Sequence, residues 1–291
     1  MIDDAFLETA WSDHGDRPRE VADRLAAALP QLAAPGEVPP FVRLLTHVYG
    51  EHLGEWRQGV ALLEAIGSRA VLVADTAAAG ALARAVATLR CAGGDAAAVA
   101  ALGREDRVAA TAGAAAIFTG RADLARAIPA LDDALRLADG GLPDGSPAIR
   151  ALAVAGNNLA AALEEKPDRD GAQTQAMVAA ARAGLRYWTR AGTWLEEERA
   201  HYRLARTLLA AGDPAAAVAS AARCVDVCAQ HDADAFERFF GHAVLAVAAR
   251  AAGDAEGFAT NRRHALEAYG RVPEADRRWC GQALAELGED A

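Results

Sequence analysis

Four cysteines in 291 residues (Cys91, Cys224, Cys228, Cys280) are too few and too scattered for a disulfide framework, which leaves a reducing compartment as the default. Aromatic residues make up only 5% of the chain, and lysine occurs once, at Lys166. Long apolar runs are missing too. The stretch from Ala109 to Phe118 is too short and too rich in alanine to span a bilayer. No apolar segment follows the acidic start Met1-Ile2-Asp3-Asp4, so no signal peptide is expected and a cytoplasmic protein is the reading. Positive charge is in deficit: 30 Lys+Arg against 40 Asp+Glu give a net charge of −10. Such a chain has no global field for nucleic acid or an anionic membrane, and neither is expected as a partner. Catalytic signatures are absent as well. There is no nucleophile elbow, no Gly-rich phosphate loop after a strand and no zinc-finger spacing. Acid pairs such as Asp132-Asp133 and Glu164-Glu165 are adjacent in sequence and so do not face each other on a helix. Neither an enzyme nor a cofactor is expected.

What the chain has in excess is alanine, 78 residues or just over a quarter of it. Alanine is the best helix former and a poor strand former, which excludes β-sandwiches and barrels. Its methyl buries little surface, so many helices packed through small faces suit it better than one large core. Helix punctuation recurs at Gly54-Glu55, Gly94-Asp95, Gly120-Arg121, Gly212-Asp213 and Gly253-Asp254. Gly ends a helix in the left-handed conformation and Asp caps the next. These steps are 40, 26, 92 and 41 residues apart, and a turn over Pro167–Gly171 divides the 92. Periods near 40 of helix-turn-helix units predict an all-α fold, an α-solenoid of about six antiparallel hairpins. The hairpins are placed at 38–66, 70–101, 104–138, 146–191, 193–230 and 232–270, the second with a short second helix. An N-terminal helical segment (1–37) precedes this repeat domain (38–270). A capping helix (271–291) follows, with Trp279, Leu284 and Leu287 on its packing side. The loop at 139–147 is the best internal boundary, but nothing on either side of it reads as an independent domain, and one superhelical domain is expected.

The fifth hairpin carries Leu204-Ala205, Leu208, Gly212-Asp213, Ala217, Ala221 and Cys224. The sixth has Leu245-Ala246, Ala249, Gly253-Asp254 and Ala265, and the fourth has Asn157-Asn158-Leu159-Ala160. In these residues the chain resembles the tetratricopeptide repeat (TPR) family, and the Asn-Asn-Leu-Ala string with a period above 40 resembles the longer variant of kinesin light chains. The resemblance implies a right-handed superhelix whose first helices line a concave groove. It also implies a non-catalytic module, an adaptor or regulator, that holds a peptide or protein there.

In the family register, Arg199, Tyr202 and Arg206 share the groove face of one helix at i, i+3 and i+7, and Arg107, Asn157 and Arg250 fall in comparable places. Arginine forks bind carboxylates and Asn can bond an extended backbone, so an acidic or C-terminal peptide segment is the expected ligand. The bland alternative pairs these arginines with Glu196, Glu197 and Glu198. Two clusters could hold metal but are assigned none. His47 and Glu51 stand at i, i+4, but His52 at i+5 points away on an α-helix, and the string does not match the inverse zinc-protease motif. Cys224, Cys228 and His231 share a face, but Cys224 sits where a repeat wants a small buried residue. The aromatics Tyr187, Trp188, Trp194, Trp11, Trp56 and Trp279 are read as packing. A metal-binding or enzymatic helical-repeat protein that uses His47/Glu51 or Cys224/Cys228/His231 is the second reading, and self-association, as a homodimer through the chain ends or near Trp188 and Trp194, is the third.

Overall fold

A computed structural model describes residues 2–288, and among these there are helices and no strand. Contacts divide the chain into two compact units, Met1–Asn158 and Leu159–Ala291. The division falls within one long helix rather than in the loop at 139–147.

The first unit begins with α1 (Asp4–Asp13) and α2 (Pro18–Ala28), with Pro18 in the first turn of α2. The first hairpin follows as α3 (Val38–His47), a π-helical turn (Val48–Leu53) and α4 (Trp56–Gly67). The second is α5 (Thr76–Ala92) with α6 (Ala97–Ala100), and the third is α7 (Arg104–Gly120) with α8 (Leu124–Ala138). Next comes α9 (Pro147–Glu165). Helix α5 packs on both α3 and α7, the succession of first helices that a repeat stack requires. Helix α6 is a single turn because only eight residues separate Gly94 from Gly103. The missing helical length leaves a cleft of about 540 Å³ bordered by Leu63, Val73, Leu82, Val86 and Leu102.

The second unit contains α10 (Gly171–Ala191), α11 (Trp194–Ala210), α12 (Pro214–Gln230), α13 (Ala235–Ala251) and α14 (Ala255–Tyr269). Each packs on the next along the chain from α10 to α14, and α11 also touches α13. The expected single capping helix is two short ones, α15 (Glu274–Arg277) and α16 (Gly281–Glu286). The break buries Cys280 with Leu284 and Leu287 against α13 and α14. It also turns Trp279 outward, leaving it 61% exposed, so the assignment of Trp279 to packing is corrected.

Alanine sets the packing. In α7, Val108–Phe118 is buried except at Gly113, with alanine at six positions. Where even a methyl is too large, glycine appears: a Cβ at Gly59 would lie 2.6 Å from Leu89, and one at Gly50 2.7 Å from Ile117. Caps are as expected at two turns, where Gly212 and Gly253 are left-handed and Asp213 and Asp254 accept bonds from the backbone N–H three residues on. The turn expected at Gly120-Arg121 instead has its left-handed residue at Ala122 (φ 56°), before the cap Asp123. An alanine there carries a steric penalty that glycine lacks. We therefore expect Ala122→Gly to stabilise the protein by about 0.5–1 kcal/mol in urea unfolding.

Candidate functional site

The predicted groove residues of the second unit lie together but are held by acids of their own chain. Arg199 donates to Glu237 of α13, from Nε at 3.1 Å and from its terminal nitrogen. Arg206 donates from Nε to Glu164 at 3.0 Å and from Nη1 to Glu286 of α16. Arg203, one turn from Arg199, shares Glu164 at 2.7 Å. Arg250 donates to the backbone carbonyl of Glu286 at 2.8 Å and lies over the Phe258 ring. Tyr202 sits between these charges, edge-on to Phe240, and burial pushes its hydroxyl up to about 12. The stripe is thus real as a face, and its partners are Glu237, Glu164 and Glu286, distant in sequence, rather than the neighbouring glutamates. Removing Glu164 leaves two half-buried guanidiniums short of an acceptor. Glu164→Ala should cost about 2 kcal/mol in urea unfolding, and Glu286→Ala less, since Arg206 then keeps Glu164.

Those neighbouring glutamates serve other ends. Glu196 accepts from Thr193 to close the first turn of α11. Glu198 is almost fully buried, accepting from the Cys224 thiol at 2.7 Å. Burial, reinforced by the charge of Glu237 and partly offset by that thiol, pushes the Glu198 carboxyl up to about 7. Cys224 is itself raised, by its bond to Cys228 and by burial. His231 lies apart, stacked on Trp194 with ring centroids 5.2 Å apart. The cysteines are therefore packing residues, and Tyr187 and Trp188 are buried as expected. Folding raises the Glu198 value from an ordinary 4.5, so the folded state binds the extra proton between those limits. Stability should fall as pH rises through that window. Differential scanning calorimetry from pH 4.5 to 8 should show this fall lessened in Glu198→Gln.

In the first unit Arg107 donates to the carbonyls of Ala100 at 2.6 Å and Leu102 at 3.1 Å, closing the end of α6. A concavity of about 670 Å³ opens against α3, α5, α7 and α9. Val42, Ala85, Ala109, Ala116, Ile117 and Val154 give it apolar walls. Arg43, Arg84, Arg150 and Asn158 supply polar groups. Asn158 borders it rather than its neighbour Asn157, which the sequence reading selected. Arg84 is paired with Asp106 at 2.7 Å. Arg43 lies over the Trp11 ring, 5.4 Å from its centroid. Burial and then the charge of Arg150 lower the Arg43 value, so the two guanidiniums bear on one another. Sequence reasoning missed Arg43 and Arg84 because it drew its site residues from the third to sixth hairpins, and within the fourth it selected Asn157 rather than Arg150.

At one end of this concavity stand Trp11, His47 and Glu51. His47 Nδ1 is 2.8 Å from Glu51, and His47 Nε2 is 3.1 Å from His52 Nε2. The expectation that His52 points away is corrected. On an α-helix, residues five apart diverge by about 140°. The π turn over Val48–Leu53 closes i→i+5 instead and returns His52 to the face of His47. His14, at the end of α1, completes the group with its ring 4.9 Å from His47 and 5.1 Å from His52.

No protein-family model and no curated protein matches the sequence. The fold is similar to the crystal structure of a single-substitution variant of nearly identical TPR-like repeats, attributed to a kinesin light chain of Podosopora anserina. The two share 14% identity over 82% of this chain and 97% of that one, with a TM-score of 0.51. The protein is thus a TPR-like helical-repeat protein in fold. Among the described residues, no helix is long and apolar enough to cross a membrane.

Proposed function

We propose that the protein is a non-catalytic interaction module, an adaptor or regulator, that holds an acidic or C-terminal peptide segment in the concavity of its first unit. The observation that carries this reading is the presence of Arg43 and Arg150 on the wall of one apolar concavity, close enough for each charge to act on the other. A guanidinium fork there matches a carboxylate in two parallel bonds. Asn158 adds a donor and an acceptor for an extended backbone, while Val42, Ile117 and Val154 offer an apolar surface to side chains. Volume fits as well: about 670 Å³ accommodates a few residues rather than a domain. The fold supports the class, since TPR-like repeats commonly serve protein interaction.

Of the residues selected from the sequence, Arg199 keeps more than half of its side chain exposed and forms a secondary surface for the same kind of partner. Arg206 and Arg250 are engaged in holding α16, and Arg107 in closing α6. Selection from a displayed library of free C-terminal peptides should enrich acidic sequences, with binding then measured by fluorescence anisotropy. Arg43→Glu/Arg150→Glu should weaken the selected peptide at least about tenfold, and amidating its C-terminus should weaken it when the terminal carboxylate is the anchor. Arg199→Glu should have a smaller effect. Undiminished binding by the Arg43/Arg150 double variant, with loss in Arg199→Glu, would move the site to the second unit. A library that yields no binder would sink the reading.

A further inference from the structure

We infer that His14, His47 and His52 form a binding site for a divalent transition-metal ion, Zn²⁺ by the chemistry of its ligands. One ring nitrogen from each lies within 4.8 Å of the others. The His47–His52 pair is nearer still, with its Nε2 atoms 3.1 Å apart. Two nitrogens bound to one tetrahedral zinc at about 2.0–2.1 Å are separated by about 3.3 Å. The observed pair is therefore already at ligand spacing.

Two ring nitrogens also have partners outside the trio. His47 Nδ1 is directed at Glu51, and His14 Nδ1 at the carbonyl of Trp11. This is the outer arrangement that metal-bound histidines use. A carboxylate or carbonyl takes the proton of one ring nitrogen and fixes the lone pair of the other toward the ion.

The surrounding chain holds the three rings on separate supports. Asp13, next to His14, pairs with Arg17, just before α2, and with Arg24 of α2 at 2.7 Å. Arg121 donates to the carbonyl of His52 at 2.7 Å. Gly120 allows the end of α7 to approach Glu51, where a Cβ would lie 2.9 Å from the Glu51 Cβ. Imidazole-only donors select zinc, copper or nickel over magnesium and calcium. Three protein ligands leave a fourth position for water or for a group from outside. Among the described residues, no other group of three His, Cys, Asp or Glu has this spacing. The inference stands apart from whatever the concavity holds.

The test uses untagged full-length protein, stripped with chelator and titrated with Zn²⁺ by calorimetry and with Co²⁺ by visible absorption. One saturable equivalent is expected, with the strong Co²⁺ bands of a four-coordinate nitrogen site. His47→Ala and His52→Gln should abolish it, and Glu51→Gln should weaken it about 10–100-fold at unchanged stoichiometry. His242→Ala, in the second unit, should leave it unchanged. Circular dichroism establishes that each variant is folded, and the Co²⁺ spectrum of the wild type reads the site without any variant. No saturable binding, an octahedral aqueous-type Co²⁺ spectrum, or binding retained in a folded His47→Ala/His52→Ala double variant would overturn the inference.

Discussion

Two helices can approach only as closely as the side chains between them allow, and in this chain the spacer is usually a methyl group. Burying an alanine contributes little per residue, so stability accumulates from many close backbone approaches and from well-satisfied helix ends. Alanine lines most of the buried length of α7, and glycine replaces it where Leu89 and Ile117 press on α4 and the π turn. Large side chains are then confined to gaps that methyls do not fill, as with Phe41, Tyr49 and Phe239. Tyr49 also bonds the carbonyl of Ala22 at 3.3 Å, tying α2 to the first hairpin.

With so little apolar area per contact, arginine takes on a structural share. In the second unit, Glu164 and Glu286 join α9, α11 and α16 through Arg203 and Arg206, while Glu237 joins α11 to α13 through Arg199. These pairs are partly shielded from water, where an ion pair counts for more than on an open surface. The excess of arginine over lysine suits this use, since one planar fork can serve two acceptors. The same acids occupy cations that would otherwise attract a ligand. In the first unit Glu51, on the concavity wall, faces His47.

The helical hairpins were legible from glycine followed by Asp, because the left-handed stop and the N-cap are local events. Gly212-Asp213 and Gly253-Asp254 show both in full. The turn at 120–123 departed from that rule because the hydrogen bonds of its ending place the reversal two residues later, on an alanine. Face geometry was legible too: Arg199, Tyr202 and Arg206 do share one face. Their partners were not, since Glu237, Glu164 and Glu286 stand 38 to 80 residues away in the chain. The histidine cluster was hidden for a different reason. A period of 3.6 residues was assumed through Val48–Leu53, where the backbone follows the wider π turn. The signal lay in Gly50, a residue unfavourable inside a helix, set in the middle of that segment.

A π turn is one residue more than an α-helix needs, and that extra residue sets the first hairpin apart from a regular repeat unit. Repeat arrays ordinarily grow by copying a unit, and copies remain interchangeable while their helices keep the same phase. Val48–Leu53 breaks that equivalence within a helical segment, without lengthening a loop. Recombination between this hairpin and a neighbour would restore the common phase and scatter the histidines in one step.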